Sequence, residues 1–335
     1  MNTAKTSTIY DVARLAGVSS ATVSRVLNEP DKVGEDKRNK VLNAIKELNF
    51  IPKADAVANA RKSYRKIGVI APFFTQPSFM ERLRGIARIL APEHYELVIY
   101  SIDSTDDLNN YVSAMVTTMR VDGLIFLCVH LERPVLNLLH DAKFPVCFVE
   151  SDLDNFDCVN IHNLRGGQKA AEYLYQQGCR RPGFLGEQSK LSYAVTATED
   201  RFRGFKFYFA NQGIIIPPEH VWIGEFTDQQ LDKGIMSFLN AKTLPDCVFC
   251  SSDLIAARFV HLAREAGLQV PKDIKVLGFD NVDISGYIGL STVNQNLDMS
   301  GKAAAELILA RMKEPERPVV NMNVPLDIIE RETTK

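Results

Sequence analysis

Arg25 lies on the outward side of a short amphipathic segment, where its guanidinium could fork onto O6 and N7 of a guanine. Val23, Val26 and Leu27 form the inner side of that segment, predicted as a helix over 20–27. Ser20, Ala21, Ser24 and Asn28 share the outer side with Arg25. Serine and alanine at a helix start add only a weak hydrogen bond or a methyl contact, so base discrimination would rest on the arginine. Further along, Phe73, Phe74 and Ser78 follow the first predicted strand of a larger region, Asp103 follows the second and His130 the third. Aromatic faces cover C–H surface while charged forks take paired hydroxyls, so such a group suits a polyhydroxylated ligand; a nucleobase stacked on phenylalanine is also compatible. The plainer alternative is that Phe73 and Phe74 cap the core.

Catalytic chemistry finds little footing. The chain holds no Walker motif, no Gly-x-Ser-x-Gly elbow and no Gly-x-Gly-x-x-Gly loop. Its histidines, at 94, 130, 140, 162, 220 and 261, are dispersed without an i,i+4 pair. Gly166-Gly167 at a helix start could receive an anion, on a signal of two residues. Cys247 and Cys250 sit three apart in a strand-like run and so point to opposite faces; with no second cysteine pair or nearby histidine they read as structural. The expectation is a protein that is not an enzyme and needs neither cofactor nor metal.

The elements that must position Arg25 begin with Ser7-Thr8, hydroxyls able to cap a helix, followed by Asp11 in its first turn. Ile9, Val12, Ala13 and Ala16 form one stripe, and Gly17 supplies the left-handed residue that ends the helix. Ser19 caps the second helix. A third is predicted over 35–48, burying Val41, Leu42, Ile45 and Leu48, and Pro52 blocks its continuation. Two short helices about a glycine turn make a helix-turn-helix, whose second helix fits a major groove roughly 12 Å wide. A packing bundle of helices is the alternative. Charge favours DNA: residues 1–66 carry 13 Lys/Arg against 7 Asp/Glu, while the rest carries 26 against 34.

The run from Thr8 to Asn28 resembles the headpiece of the LacI/GalR family of repressors, and the similarity continues from Val33 to Pro52. The resemblance implies that Ser20, Ala21 and Arg25 face base edges, while Tyr10, Ser19, Thr22, Ser24 and Asn28 hold phosphates. It also implies a hinge over 53–66 that becomes helical on DNA, where a leucine from each subunit wedges into the minor groove. Asn59 stands at that leucine position, and Asp55 at another that is usually apolar. Asparagine can hydrogen-bond in the groove but unstacks a base step poorly, so the expected operator bend is smaller than in relatives. A flexible basic tether is the alternative for this segment.

Beyond Ile67, short apolar runs alternate with amphipathic stretches, the mark of parallel sheets covered by helices. Strands are predicted at 67–71, 97–100, 123–127, 146–149, 183–185, 248–250 and 275–279. Helices are predicted at 80–90, 108–119, 167–177, 201–212, 229–239, 254–266 and 299–312. The expected fold is a small all-α headpiece on an α/β core of two parallel-sheet lobes with a cleft between them. Ile67-Gly68-Val69-Ile70, Val121-Asp122-Gly123, Ser252-Asp253-Leu254 and Gly278-Phe279-Asp280 resemble landmarks of the family's periplasmic-binding-protein-like core. That likeness implies lobe crossings near residues 163, 292 and 323. The domains would be 1–52, a linker 53–66 and a core 67–335, with lobe one about 67–162 plus 293–322 and lobe two about 163–292 plus 323–335. It further implies an effector site with Arg201, Phe226, Asp253 and Asp280 at family positions and Gln295 in a crossover. Asp280 could equally be a turn residue. His162 and Ser252 depart from the family's usual Asp and Asn.

These readings combine into a sequence-specific transcriptional repressor, a homodimer on a near-palindromic double-stranded DNA operator, controlled by a small molecule of carbohydrate type. The alternative is a cytoplasmic sugar or nucleobase sensor that does not bind DNA. The N-terminus has no apolar signal region and no stretch approaches the ~18–20 apolar residues of a membrane span, so a cytoplasmic protein is expected. No heptad segment follows Arg331, which favours a dimer over a tail-zippered tetramer.

Overall fold

The computed structural model describes residues 7–28, 32–48, 50, 63–118, 120–195, 197–225 and 227–335. The chain divides into a small helical unit within residues 1–66, joined by 120–122, and an α/β unit made by the rest.

In the small unit, α1 spans Ile9–Ala16. Thr8 caps it through a reciprocal box: its hydroxyl accepts the Asp11 N–H, and Asp11 accepts the Thr8 N–H at 2.9 Å. Gly17, at φ 63°, ends the helix, and the Val18 N–H returns to the Ala13 carbonyl at 3.0 Å. Ser19 accepts the Thr22 N–H at 3.1 Å and so starts α2, Ser20–Asn28. With α3, Glu35–Glu47, these helices enclose Val12, Ala13, Ala16, Val23, Val26, Val41 and Ala44. Leu42 corrects the expectation of burial, being 49% exposed. Val41, Ala44, Ile45 and Leu48 already fill the i, i+3, i+4, i+7 stripe, and Leu42 lies one residue, about 100°, round the helix from it. Asp122 accepts the Ser63 hydroxyl and the backbone N–H groups of Tyr64 and Lys66.

The α/β unit is built from alternating elements. They are β1 (Lys66–Ile70), α4 (Pro77–Leu90), β2 (Glu96–Tyr100), α5 (Thr105–Thr118), β3 (Gly123–Leu127), α6 (Arg133–His140), β4 (Val146–Val149) and β5 (Asp157–Asn160). Then come α7 (Asn163–Gln176), β6 (Pro182–Glu187), α8 (Ala197–Asn211), β7 (Val221–Gly224), α9 (Asp228–Leu239), β8 (Cys247–Cys250), α10 (Asp253–Glu265) and β9 (Lys275–Asp280). The chain closes with α11 (Asp283–Tyr287), β10 (Ser291–Asn294), α12 (Leu297–Lys313), β11 (Asn321–Asn323) and β12 (Asp327–Ile329). One six-stranded sheet runs β11-β5-β4-β3-β1-β2, the other β12-β10-β9-β8-β6-β7. Ladders such as Ile67↔Gly123 and Phe184↔Phe249 are parallel; β10–β12 is antiparallel. The chain passes between sheets after β5, after β10 and after β11.

Strands β3, β4 and β8 are buried along their whole length, as continuous apolar runs in a sheet covered on both faces should be. Cys247 and Cys250 fall in the cores on opposite faces of the second sheet, and all six cysteines are free and buried. Cys179, Asp246 and Cys247 bring their ligand-type atoms within 4.8 Å of one another, with Asp246 committed to the N–H groups of Arg180 and Arg181.

Two helix pairs pack so closely that only glycine fits between them. A Cβ on Gly167 of α7 would lie 1.9 Å from the Arg201 carbonyl oxygen, and one on Gly204 of α8 would lie 1.9 Å from that of Leu164. In the other lobe a Cβ on Gly301 of α12 would meet the Arg82 carbonyl at 2.0 Å, and one on Gly85 of α4 that of Asp298 at 2.1 Å. Gly166-Gly167 therefore serves packing: its first member faces the Phe279 ring and its second the Arg201 backbone. No helix among the described residues is long and apolar enough to cross a membrane.

Candidate functional site

On the headpiece, Tyr10 is 73% exposed, and Ser19, Ala21 and Arg25 are also exposed. Ser20, Thr22 and Ser24 are half-buried along the same helix. Ser19 and Thr22 share a hydroxyl contact of 2.9 Å. Asn28 closes α2, and its side chain lies outside what the structure describes; so does Asn59 with most of the predicted hinge. The buried face of α2 is Val23 and Val26, so its polar residues are turned away from the headpiece core. A short helix start of small polar residues followed by an exposed arginine can enter a major groove without a bulky obstacle.

In the α/β unit, a cavity of about 350 Å³ opens at the carboxyl ends of strands from both sheets. Of the residues expected there, Phe73, Ser78, Arg201, Asp280 and Gln295 line it together. Phe74 packs partly buried against the first lobe's core, Asp103 and His130 are exposed and not part of the lining, and Phe226 lies outside the described residues. Asp253 is fully buried and braces the second lobe. Its carboxylate accepts the Val282 N–H at 2.9 Å and the Thr292 hydroxyl at 2.6 Å. Burial and the neighbouring Asp280 hold its carboxyl well above the usual range.

The cavity's floor is a closed relay of six polar side chains drawn from both lobes and two of the three crossings. Arg82 of α4, 2% exposed, donates to Glu150 and, at 3.2 Å, to Gln295. Glu150 accepts Asn163 Nδ2 at 3.4 Å, and Asn163 Oδ1 accepts Arg201 Nε at 2.9 Å. Arg201 Nη1 donates to the Ser251 carbonyl at 2.5 Å and stands 3.9 Å from Asp280, which accepts Gln295 Nε2. The Arg201 guanidinium lies 3.7 Å above the Phe279 ring, a cation–π contact that fixes its plane. Two arginines and two acids leave the relay neutral, which makes their shared burial tolerable. Burial pushes the Asp280 carboxyl up, and Arg201 and Arg82 pull it back.

Several backbone positions around this floor are held in left-handed or otherwise sparse conformations: Cys128 at φ 54°, Glu150 at 61°, Asp280 at 124° and Asn281 at 61°. Non-glycine residues at such angles cost of order 1–3 kcal/mol each and gather where a site must aim its side chains. One rim is formed by the loop after β6, which reaches from the second lobe to the first. Val129 and Ala194 form a bridge, the His130 N–H donates to the Tyr193 carbonyl at 2.8 Å, and the Val195 N–H donates to Cys128. On the same side Lys190 pairs with Glu225.

Arg82, Glu150, Glu187, Lys190 and Glu225 escaped the sequence reading. Glu150 and Glu187 are the polar residues at the ends of strands already recognised, and extending the strand-end rule to every strand names both. Arg82 carried another signal, a charged residue three positions from Phe79 on the buried stripe that continues through Leu83, Ile86 and Leu90.

Comparison with known proteins identifies the family. Residues 8–53 match the model of bacterial regulatory proteins of the lacI family, and residues 171–334 match a periplasmic binding protein-like domain. The HTH-type transcriptional repressor PurR of Photobacterium profundum is 30% identical over 330 residues, covering 96% of this chain and 97% of that protein. Catabolite control protein A of Staphylococcus epidermidis is 30% identical over 335 residues, covering 98% and 100%. Among solved structures, a LacI-family transcriptional regulator from Silicibacter pomeroyi superposes with a TM-score of 0.82 at 27% identity, covering 98% of this chain and 99% of that one. The lac repressor dimer bound to operator and the anti-inducer ONPF gives a TM-score of 0.82 at 24% identity over the same shares, a likeness of fold. The chain belongs to the LacI family of bacterial transcriptional regulators, a helix-turn-helix DNA-binding headpiece carried by a ligand-binding core.

Proposed function

We propose that this regulator is a repressor that senses a sugar or sugar derivative in the interlobe cavity and changes its hold on operator DNA accordingly. The observation that carries the reading is the closed relay from Arg82 to Gln295, which joins both lobes and two crossings beneath a cavity at the strand ends. Phe73 offers an aromatic wall, while Arg201, Asp280 and Glu150 offer donors and acceptors in pairs, the combination that grips vicinal hydroxyls. About 350 Å³ is the small end of the roughly 300–1,000 Å³ usual for ligand sites, room for a molecule of monosaccharide size.

A ligand that exchanges hydrogen bonds with the relay alters the registration of one lobe on the other, and the segment 53–66 passes that change to the headpiece (residues 1–52). The protein acts as a cytoplasmic homodimer, binding its ligand without transforming it, and presents two copies of α2 to half-sites about 34 Å apart. Tyr10, Ser19, Thr22, Ser24 and Asn28 hold phosphates while Ser20, Ala21 and Arg25 face bases. Asn59 in the minor groove supports a smaller bend than leucine does, so Asn59→Leu increases the bend in a circular-permutation assay; a bend that is unchanged removes Asn59 from this role.

The test is fluorescence anisotropy on a captured operator, titrated with a panel of monosaccharides. One of them should shift the operator affinity 5–150-fold, the range of ~1–3 kcal/mol couplings, and Arg201→Ala should abolish that shift. A shift that survives Arg201→Ala places the effector elsewhere.

A further inference from the structure

Seven charged side chains line the cavity among the described residues: the acids Glu150, Glu187, Glu225 and Asp280 and the bases Arg82, Lys190 and Arg201. Each base is committed to an acid, Arg82 to Glu150, Lys190 to Glu225, and Arg201 to Asp280 at 3.9 Å. Glu187 is left over. It closes β6 and is only partly open to solvent, and its N–H, not its carboxylate, is the group bonded to Ser251. Its carboxylate meets no hydrogen-bond donor or cation at contact distance among the described residues. From the other lobe, Arg82 brings a second unanswered group, for its buried Nε has no hydrogen-bond partner among the described residues.

We infer that the effector carries a basic nitrogen, and that Glu187 is the residue that selects it by pairing its carboxylate with the ligand's ammonium. This rests on the reading of the cavity as the effector site and adds the charge of its occupant. A neutral diol could also donate twice to a carboxylate. It would leave the carboxylate to lose its charge by taking up a proton, because a charge in this wall is costly unless it is paired. An ammonium supplies the missing fourth cation and also donates. The state of Glu187 agrees with an unmet charge. Burial first, and then Asp280, push its carboxyl up to about 7, with Arg201 opposing them. The groups facing it are therefore Asp280 from β9 and Arg201 from α8, with the Lys190–Glu225 pair at the rim and the Arg82–Glu150 pair across the cavity.

The sign of the pH dependence follows. A cation binds the ionised form of Glu187, so the proton competes with it, and affinity for an amine falls about fivefold from pH 7 to pH 6. A neutral ligand that accepts a hydrogen bond from the protonated acid would bind more tightly over the same interval.

The experiment is calorimetric titration of the full-length protein and of Glu187→Gln with three matched pairs: D-glucosamine and D-glucose, D-glucamine and D-glucitol, putrescine and 1,4-butanediol. The expected result is at least tenfold tighter binding of an amine than of its uncharged counterpart, lost in Glu187→Gln and weakened at pH 6. If D-glucose or D-glucitol binds as tightly as its amine, or Glu187→Gln binds the amine unchanged, the charge assignment is overturned while the polyhydroxylated effector stands. Binding of putrescine alone supports the charge assignment and overturns the sugar reading. If no amine binds up to about 10 mM, weaker than a sensor needs, the inference is overturned as well.

Discussion

Replacing Arg201 by alanine removes at one stroke the donors to Asn163 and the Ser251 carbonyl and the cation beside Asp280. Deleting one member of a buried pair strands the other, so urea denaturation should show a loss of about 3–5 kcal/mol, most of it recovered by the double variant Arg201→Met/Asp280→Asn. An unrescued double variant would mean that the arginine acts through packing on Phe279 instead. Glu187→Gln should do the opposite. An acid whose pKa is raised by folding holds its proton more tightly in the native state, so its stabilising contribution is fully present below its ordinary 4.5 and is lost as pH rises from there through about 7. The substitution should therefore raise stability by on the order of 2–3 kcal/mol at pH 8 and by almost nothing at pH 4. A gain that is equal at both values would point to packing and would remove the unpaired charge from the account. The sequence named Arg201 and Asp280 through family positions and Gln295 through its place in a crossover, and all three line the cavity. It left Glu150 and Glu187 unremarked because nothing in their neighbours shows that the cations of the cavity are already spent, which is a property of the assembled site.

At the scale of elements, what aims the two cavity arginines is the contact of helix on helix. Gly167 touches the backbone of Arg201 and Gly301 touches that of Arg82, one contact in each lobe. Gly167→Ala must drive α7 and α8 apart, at a cost of about 1–3 kcal/mol, and should weaken effector binding beyond what the stability loss explains, because Arg201 moves with its helix. Gly286→Ala, where a Cβ meets nothing within 4 Å and φ is unremarkable, is the control and should change thermal stability little. Full effector affinity in Gly167→Ala would show that the close approach serves stability alone. The apolar buried strands were legible because three or more consecutive apolar residues between turn signals have few other readings: β3 and β4 stand at their predicted bounds, and β8 begins one residue earlier. The buried but polar-flanked β5 and β10, Asp-Cys-Val-Asn and Ser-Thr-Val-Asn, were not, nor were the edges β7, β11 and β12, although the edge β2 was. β11 is Asn-Met-Asn and wholly exposed, β12 is three residues long, and both exist because β5 and β10 offer them a ladder. The predicted helices began late by up to four residues, since their first turns, such as Pro77-Ser78-Phe79 and Ala197-Thr198-Glu199, hold few residues of the apolar stripe.

At the scale of the whole molecule, a headpiece that reads bases and a core that binds a ligand make two claims, and the first is the one on which the other depends for its consequence. The helix-turn-helix was plain in the sequence because its cap, its left-handed glycine and its stripe fall at fixed spacings, and Thr8, Gly17 and Ser19 take those parts in the structure. The cavity's relay was not plain, for it joins residues up to 213 positions apart in the chain. Arg25 is the exposed residue of α2 whose guanidinium has the geometry for a bidentate contact with a guanine, a contact of about 1–3 kcal/mol, whereas the role proposed for Tyr10 is a phosphate contact. The most direct measurement is to incubate the purified protein and its Arg25→Ala variant with fragmented genomic DNA at moderate salt and sequence what each retains. The wild-type chain should enrich a short near-palindromic motif, lost or relaxed at its guanine positions in Arg25→Ala. Retention of no motif, or of the same motif with the same enrichment by both proteins, would contradict this expectation.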